Sequence, residues 1–359
     1  MEKITELIIT LLLSGTIALI VIPIAKRLAQ KLNLVDQPNH RKVHAKPVPL
    51  VGGISVAIAA ILALSMSPSF AKVFYVHLPF ITASFLLLLI GMIDDKMDIK
   101  PSLRLIIQLA CAWAVASLGI RLSSLYGIFG IYELPIFIQY LLTITIIAGV
   151  VNAFNLMDGI DGLAGGLALI GIALMIPIFY SLGHQGFALL LAAISGALFS
   201  FLRFNLSNDK IFLGDGGSLF LGFILAVAGI QLIEANAAHV EGFQGYAVIG
   251  VVSIFLLPVL DALRVFYTRI QNGDSPFKAD KTHLHHLILL LGLGHKKTTA
   301  IILLVKLTMI SFALVIFSAT SITIALIAAS ILYCLLTNIL GLVKQIKDWE
   351  VKIIRFEKN

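Results

Sequence analysis

Apolar runs long enough to cross a bilayer recur from Ile4 to Leu342, with only short polar breaks between them. A helix needs roughly 20 apolar residues to span the hydrocarbon core. Inside that core every backbone N–H and C=O must find a partner within the chain, so runs like these must be helices. Of the 359 residues 59% are hydrophobic and only 13% are charged, against about 25% charged in a soluble domain. The expectation is an all-α polytopic membrane protein, a single integral membrane domain over 1–359, with no soluble domain between its spans.

By length, the runs divide into about eleven spans: 4–25, 49–67, 78–93, 103–120, 136–152, 163–181, 186–204, 217–234, 245–266, 299–318 and 320–341. The first reads as a retained helix, not a cleaved signal: Glu2 and Glu6 flank a single Lys3, no Ala-x-Ala-like site follows, and the run leads into Lys26 and Arg27. Alternate loops carry the basic residues, from Lys26, Arg27, Lys31, Arg41, Lys42 and Lys46 in the first to Arg269 through Lys297 in the last. The opposite loops hold little more than Lys72 and Arg121. The positive-inside rule then puts the N-terminus outside and the C-terminus, with its basic tail, in the cytoplasm. A net charge of +7 dispersed in this way reports orientation and excludes nucleic acid as the expected partner. Cys111 and Cys334 lie within apolar runs, without a pairing or metal-binding pattern, and read as packing residues.

The same division sorts the acids, which orientation alone does not require. Asp36, Asp94, Asp95, Asp98, Asp158, Asp161, Asp209, Asp215, Asp274, Asp280 and Asp348 fall on the cytoplasmic side, and Asp261 lies within a span near its inner end. Short loops at one face of a bundle bring distant carboxylates together, and clustered carboxylates need a cation or a proton to neutralise them.

Four motifs carry this chemistry. Asp94-Asp95 ends the third span; it is either a solvated helix end or a pair that holds a divalent ion or shares a proton. In Asn152-Ala-Phe-Asn155-Leu-Met-Asp158-Gly-Ile-Asp161-Gly162, Asn155, Asp158 and Asp161 are spaced i, i+3, i+6, along one face if helical, beside glycines that admit close approach. A capping turn would explain one of those acids, not the whole set. Gly214-Asp215-Gly216-Gly217-Ser218 opens another span. Glycines there leave the first backbone N–H groups free to face an anion, although the Walker pattern is missing; a plain capped start is the alternative. After the ninth span come Ser275-Pro-Phe-Lys278-Ala-Asp280-Lys281-Thr-His283-Leu-His285-His286, whose spacing suits phosphate or nucleotide donors better than a zinc site. Arg41, Lys42, His44 and Lys46 either set topology or hold a lipid phosphate, and Asp261 with Arg264 reads as a structural ion pair at i, i+3.

In order, spacing and placement, Asp94-Asp95, Asn155-Leu-Met-Asp158-Gly-Ile-Asp161-Gly, Gly214-Asp215-Gly-Gly-Ser218 and His283-Leu-His-His286 resemble the polyprenyl-phosphate N-acetylhexosamine-1-phosphate transferase family over nearly the whole chain. His-Leu-His-His and Ser275-Pro-Phe-Lys look like its WecA/TagO-like branch, which uses UDP-GlcNAc, more than the branch that uses UDP-MurNAc-pentapeptide for peptidoglycan. The resemblance implies transfer of GlcNAc-1-phosphate from UDP-GlcNAc to undecaprenyl phosphate, releasing UMP, with Mg2+ (or Mn2+), at the cytoplasmic face of a bacterial inner membrane. It implies metal ligation by Asp215 and the carbonyl oxygen of Asn155, and a proton acceptor in Asp94 or Asp95. Asp158 and Asp161 would complete the acidic pocket, His283 with His285 or His286 would bind the diphosphate, and Gly214, Gly216 and Ser218 would bind substrate. His44 and Lys46 would face the lipid phosphate, and partners would be membrane lipid and a second copy in a homodimer. The rival class is a transporter or lipid flippase, which would carry ionisable residues near the midplane in both halves of a repeat; here the acids crowd one face and no repeat is evident.

Overall fold

The structure, a computed structural model, describes residues 2–37, 46–237, 244–275 and 282–357. It is nearly all helical. The helices are α1 (Glu2–Lys31), α2 (Gly52–Ser65), α3 (Phe70–Val76), α4 (Leu78–Met97), α5 (Pro101–Ser117), α6 (Ile136–Leu156), α7 (Leu163–Ser181), α8 (Gln185–Asn205), α9 (Gly214–Ala237), α10 (Gln244–Gln271), α11 (Leu284–Leu289), α12 (His295–Phe317) and α13 (Ile322–Glu357). All eleven expected apolar runs are helical, and among the described residues nine helices are long and apolar enough to cross a membrane. The other two are Gly52–Ser65 and Pro101–Ser117. At 1.5 Å per residue they reach only about 21 and 26 Å, less than a hydrocarbon core of about 30 Å.

The outer helices turn large apolar side chains away from the protein: Ile8, Leu12 and Ile20 on α1, and Ile327, Ile331, Leu335 and Ile339 on α13 are all more than 45% exposed. Apolar stripes of that extent have no place in water, so lipid is their solvent. At the centre is α9, almost wholly buried, with α2, α4, α6, α7 and α10 packed around it. With lipid outside, helices gain little from hydrophobic exclusion and pack through small residues that let backbones meet. A Cβ at Gly91 of α4 would fall on the backbone of Gly216 in α9, so the two helices touch main chain to main chain at the start of α9. Serine hydroxyls seal the α1–α8 contact in the same spirit: Ser14 donates to the Ala193 carbonyl, and Ser200 donates to that of Gly15 at 2.8 Å.

One element departs from the all-α expectation. Val35–Asp36 (β1) and Val48–Pro49 (β2) pair antiparallel, Val35 opposite Pro49 and Asp36 opposite Val48. Pro47 and Pro49 hold this stretch extended and out of any helix. The same stretch runs on beside 211–213: Phe212 N–H donates to the Pro49 carbonyl (2.9 Å), while Gly52 and Gly53 donate to the Phe212 and Leu213 carbonyls (2.8 and 3.0 Å). This ladder leads the chain into α9.

Candidate active site

Asp95 lies in the last turn of α4 and reaches the beginning of α9. Its two oxygens accept the Asp215 N–H at 2.9 Å and the Gly216 N–H at 3.3 Å. It therefore caps α9 from a different helix, where a negative charge meets the positive end of the helix dipole. Gly214 has φ +76, and a Cβ there would lie 2.6 Å from the Asp95 Oδ2; glycine is needed both for the left-handed turn and for the space. Asp94 points elsewhere. It is buried, accepts the Ile99 N–H at 2.9 Å, and pairs with Arg104 of α5, whose guanidinium also stands 3.2 Å from the Asp215 Oδ2.

The turn between α6 and α7 brings up the second pair. Ser218 donates to the Asn155 Oδ1 at 2.8 Å, tying the end of α6 to the first turn of α9. Asp158 opens onto the site, yet burial first, and then the Asp215, Asp95 and Asp161 charges, push its carboxyl well above the ordinary carboxylate range. Asp161 behaves oppositely. Burial would raise it, but hydrogen bonds from His295 and Lys210, and their charge, hold it below the usual value; Lys210 Nζ lies 3.0 and 2.8 Å from its two oxygens and His295 Nδ1 lies 3.4 Å away. Asn205 locks the turn by accepting the Gly162 N–H at 2.5 Å and donating to the Ile211 carbonyl at 2.8 Å.

The histidines divide by role. Asp261, fully buried, accepts the Leu284 N–H (3.0 Å), the Tyr333 hydroxyl (2.8 Å) and the Arg264 guanidinium (2.8 Å), and its second oxygen lies 2.7 Å from His283 Nδ1. The expected Asp261–Arg264 pair is present, and it also anchors the start of α11. His283 is thus buried against Asp261 and is not among the described residues that line the cavity. His285, also buried, lies against Gly159, where a Cβ would collide with its ring. Burial, with the neighbouring His286 and His283, lowers its pKa to about 3, so the ring is neutral at pH 7. His286 alone of the three faces the cavity.

These segments enclose one cavity of about 690 Å3. Its described lining includes five carboxylates, Asp36, Asp95, Asp158, Asp161 and Asp215, against two ammonium groups, Lys210 and Lys344. Asp94, Asn155, His283, His285, Gly216 and Ser218 stand behind this lining, whereas Gly214 belongs to it. Lys46 is exposed before β2 and is not in the described lining, and His44 lies outside the described residues. Sequence reasoning passed over Arg104, His295 and Asn205, and assigned Lys210 no role in the site. An arginine at the mouth of an apolar span, nine residues after an Asp pair, was the available clue to Arg104.

Hard oxygen donors in excess of positive charge suit Mg2+ or Mn2+. Among the described residues no three His, Cys, Asp or Glu side chains stand close enough to cage a metal. Mg2+ does not require such a cage, because it takes one or two protein carboxylates and completes its shell with water and substrate phosphates.

Fold and site define a polytopic membrane protein with an acidic cavity where several helix ends converge. Residues 77–233 match the family model described as glycosyl transferase family 4. The chain is 30% identical, over 89% of its length and 87% of the relative's, to a probable undecaprenyl-phosphate N-acetylglucosaminyl 1-phosphate transferase of Bacillus subtilis (strain 168). It is 32% and 33% identical, each over 78% of its length and 76% of the relative's, to undecaprenyl-phosphate alpha-N-acetylglucosaminyl 1-phosphate transferases of Yersinia pestis and Escherichia coli (strain K12). The chain belongs to glycosyl transferase family 4.

Proposed function

We propose that this protein transfers GlcNAc-1-phosphate from UDP-GlcNAc to undecaprenyl phosphate, releasing UMP and forming undecaprenyl-diphosphate-GlcNAc. The names of the relatives support the substrates. The observation that carries the reading is the convergence of Asp95, Asp158, Asp161 and Asp215, from three separated segments, on one cavity with Lys210 and His286. Attack of one phosphate on another gathers negative charge, so the reaction needs a cation and positioned donors more than a protein nucleophile.

In this mechanism an oxygen of the acceptor phosphate attacks the sugar-bearing phosphorus of the donor, the bond to the UMP oxygen breaks, and UMP leaves with the electron pair. Asp95, held by two N–H groups of α9, takes the remaining proton of the acceptor phosphate. Bound Mg2+, with Asp215 as its principal protein ligand and Asp158 beside it, would supply charge neutralisation for both phosphates. Asn155, whose side-chain oxygen accepts from Ser218 and whose main-chain carbonyl accepts the Asp158 N–H at 3.1 Å, has only the second lone pair of that carbonyl for the metal and otherwise braces the turn. His283 acts by fixing α11, and His286 meets the donor. The acids face the cytoplasm of a bacterial plasma membrane in this reading, with eleven crossings, the short α2 and α5 included, the N-terminus outside and the C-terminus inside.

Release of UMP by the purified protein with Mg2+ and undecaprenyl phosphate tests the proposal. UDP-GlcNAc should turn over at least about 100-fold faster than UDP-MurNAc-pentapeptide, roughly 2.7 kcal/mol of differential transition-state binding. Equal rates, or preference for the peptide-bearing donor, would refute the assignment of the sugar; no UMP from either would refute the transferase reading.

A further inference from the structure

Lys344 sits near the end of the apolar part of α13, far in sequence from every motif above, and it lines the acidic cavity. Its direction is set by the helix. Tyr333, Thr337, Leu340, Lys344 and Lys347 follow one another at steps of four, three, four and three residues, which puts them all within about 40° of the Tyr333 direction. Tyr333, Thr337 and Leu340 are buried, whereas Leu335, Ile339, Leu342 and Ile346 on the opposite side are each more than half exposed. The inward face of α13 therefore continues into the cavity at Lys344.

Both sides of Lys344 are pinned. Below it the Tyr333 hydroxyl donates to Asp261 at 2.8 Å, the same carboxylate that holds His283 and the first N–H of α11. Above it Lys347 donates to the Leu290 carbonyl just past the end of α11. α13 is thus clamped to α11, and Lys344 lines the same cavity as His286, Leu289 and Leu290.

The two ammonium groups of the lining differ in what they do. Lys210 is engaged by both oxygens of Asp161. Lys344 makes no hydrogen bond or ion pair among the described residues. An ammonium group aimed into a cavity without a partner carries three donors suited to a phosphate oxygen. A lysine serving only to mark the cytoplasmic side would gain most by pointing to solvent and lipid headgroups, not along the buried face.

We propose that Lys344 is a substrate-binding residue that contacts a phosphoryl oxygen of one of the two substrates. This rests on the transferase reading above, in which both substrates carry phosphate. The contact is made in the ground state and in the transition state alike, so it belongs in KM more than in kcat.

Steady-state kinetics on the parent, Lys344→Ala and Lys344→Arg, with each substrate varied in turn, test it. Lys344→Ala should raise KM for one substrate by about tenfold or more, with kcat within about threefold of the parent, the pattern of lost uniform binding. A rise confined to UDP-GlcNAc assigns the contact to the nucleotide sugar, and one confined to undecaprenyl phosphate assigns it to the lipid phosphate. Lys344→Arg keeps the charge and should recover most of the lost affinity. Lys347→Ala, which removes only the strut to Leu290, should lower the unfolding temperature without that split between KM and kcat. Unchanged KM for both substrates in Lys344→Ala, a fall in kcat alone, or failure of Lys344→Arg to restore KM would overturn the inference. Absence of turnover by the parent is a different result, which removes the transferase reading itself.

Discussion

Asp95→Asn separates the proton-accepting role proposed for this carboxylate from the helix capping it performs. Asp95 accepts two N–H groups at the start of α9, from Asp215 at 2.9 Å and Gly216 at 3.3 Å. Asparagine caps helices about as well as aspartate, and its amide oxygen can keep the shorter of these bonds. The loss is then one long hydrogen bond, about 1 kcal/mol. The charge and the ability to take a proton disappear altogether. If Asp95 receives the acceptor's proton and faces the developing charge, kcat should fall at least about 1000-fold, roughly 4 kcal/mol. Asp94→Asn is the matched comparison, because Asp94 is buried against Arg104 and the Ile99 N–H. Removing its charge strands a guanidinium and should cost about 3 kcal/mol of stability, at the low end for a buried pair since Arg104 still has Asp215 3.2 Å away. Thermal unfolding in detergent and UMP release, measured on both variants, decide between the roles. An Asp95→Asn enzyme with kcat within tenfold of the parent would reduce Asp95 to a helix cap. Equal destabilisation by both variants would refute the division of labour within the Asp94-Asp95 pair.

Asp158 has a folded pKa raised above its unfolded one, so the ionised group opposes folding: its favourable contribution is complete below the ordinary carboxylate value and is lost as pH rises through the raised one. Asp158→Asn should therefore unfold at a higher temperature than the parent near pH 7.5 in EDTA, with the gain shrinking toward pH 4; no gain at pH 7.5 would contradict the crowding of carboxylates around it. Gly159→Ala should cut turnover by about tenfold or more, the scale expected when catalytic groups are displaced by an ångström, because its methyl would meet the His285 ring. Its pairing with a smaller residue in Gly159→Ala/His285→Ala should recover part of that loss, and an unimpaired single variant would show that α11 and the turn do not depend on this contact. A reporter at Asn359 should be cytoplasmic and one at Met1 outside, and finding both ends in one compartment would refute eleven crossings.

The helices were legible because lipid imposes a single backbone solution on long apolar runs, so composition alone located every one of the eleven. The strand pair 35–36 with 48–49 was not, since its pattern is two residues long and is set by prolines and by a main-chain ladder to Phe212, 163 positions beyond Pro49. The acids of the site were visible as a group for an electrostatic reason: carboxylates at helix ends have to share something. Their individual directions were not. Nothing in Asp94-Asp95 says which of two adjacent side chains, about 100° apart around a helix, faces the cavity and which faces Arg104. The three histidines looked alike in the sequence, yet Asp261, 22 residues earlier, decides that His283 braces the structure while His286 reaches the cavity. Cations contributed by distant segments, Arg104 and Lys344, carried no motif at all.

These directions have a common origin in the first turn of α9. That turn is touched by the backbone of Gly53 from α2 and of Gly91 from α4, it is capped by Asp95, and it holds Asn155 through Ser218. Each contact requires a glycine or a small hydroxyl on at least one side, which is why Gly214-Asp215-Gly216-Gly217-Ser218 is so poor in side chains around its single carboxylate. The helix that follows is the most enclosed of the spans, so Asp215 projects from the rigid centre of the bundle. A site assembled in this way places its charges by helix packing, and a phosphate entering it meets groups already in position, which is the condition under which fixed charges lower a barrier without reorganising first.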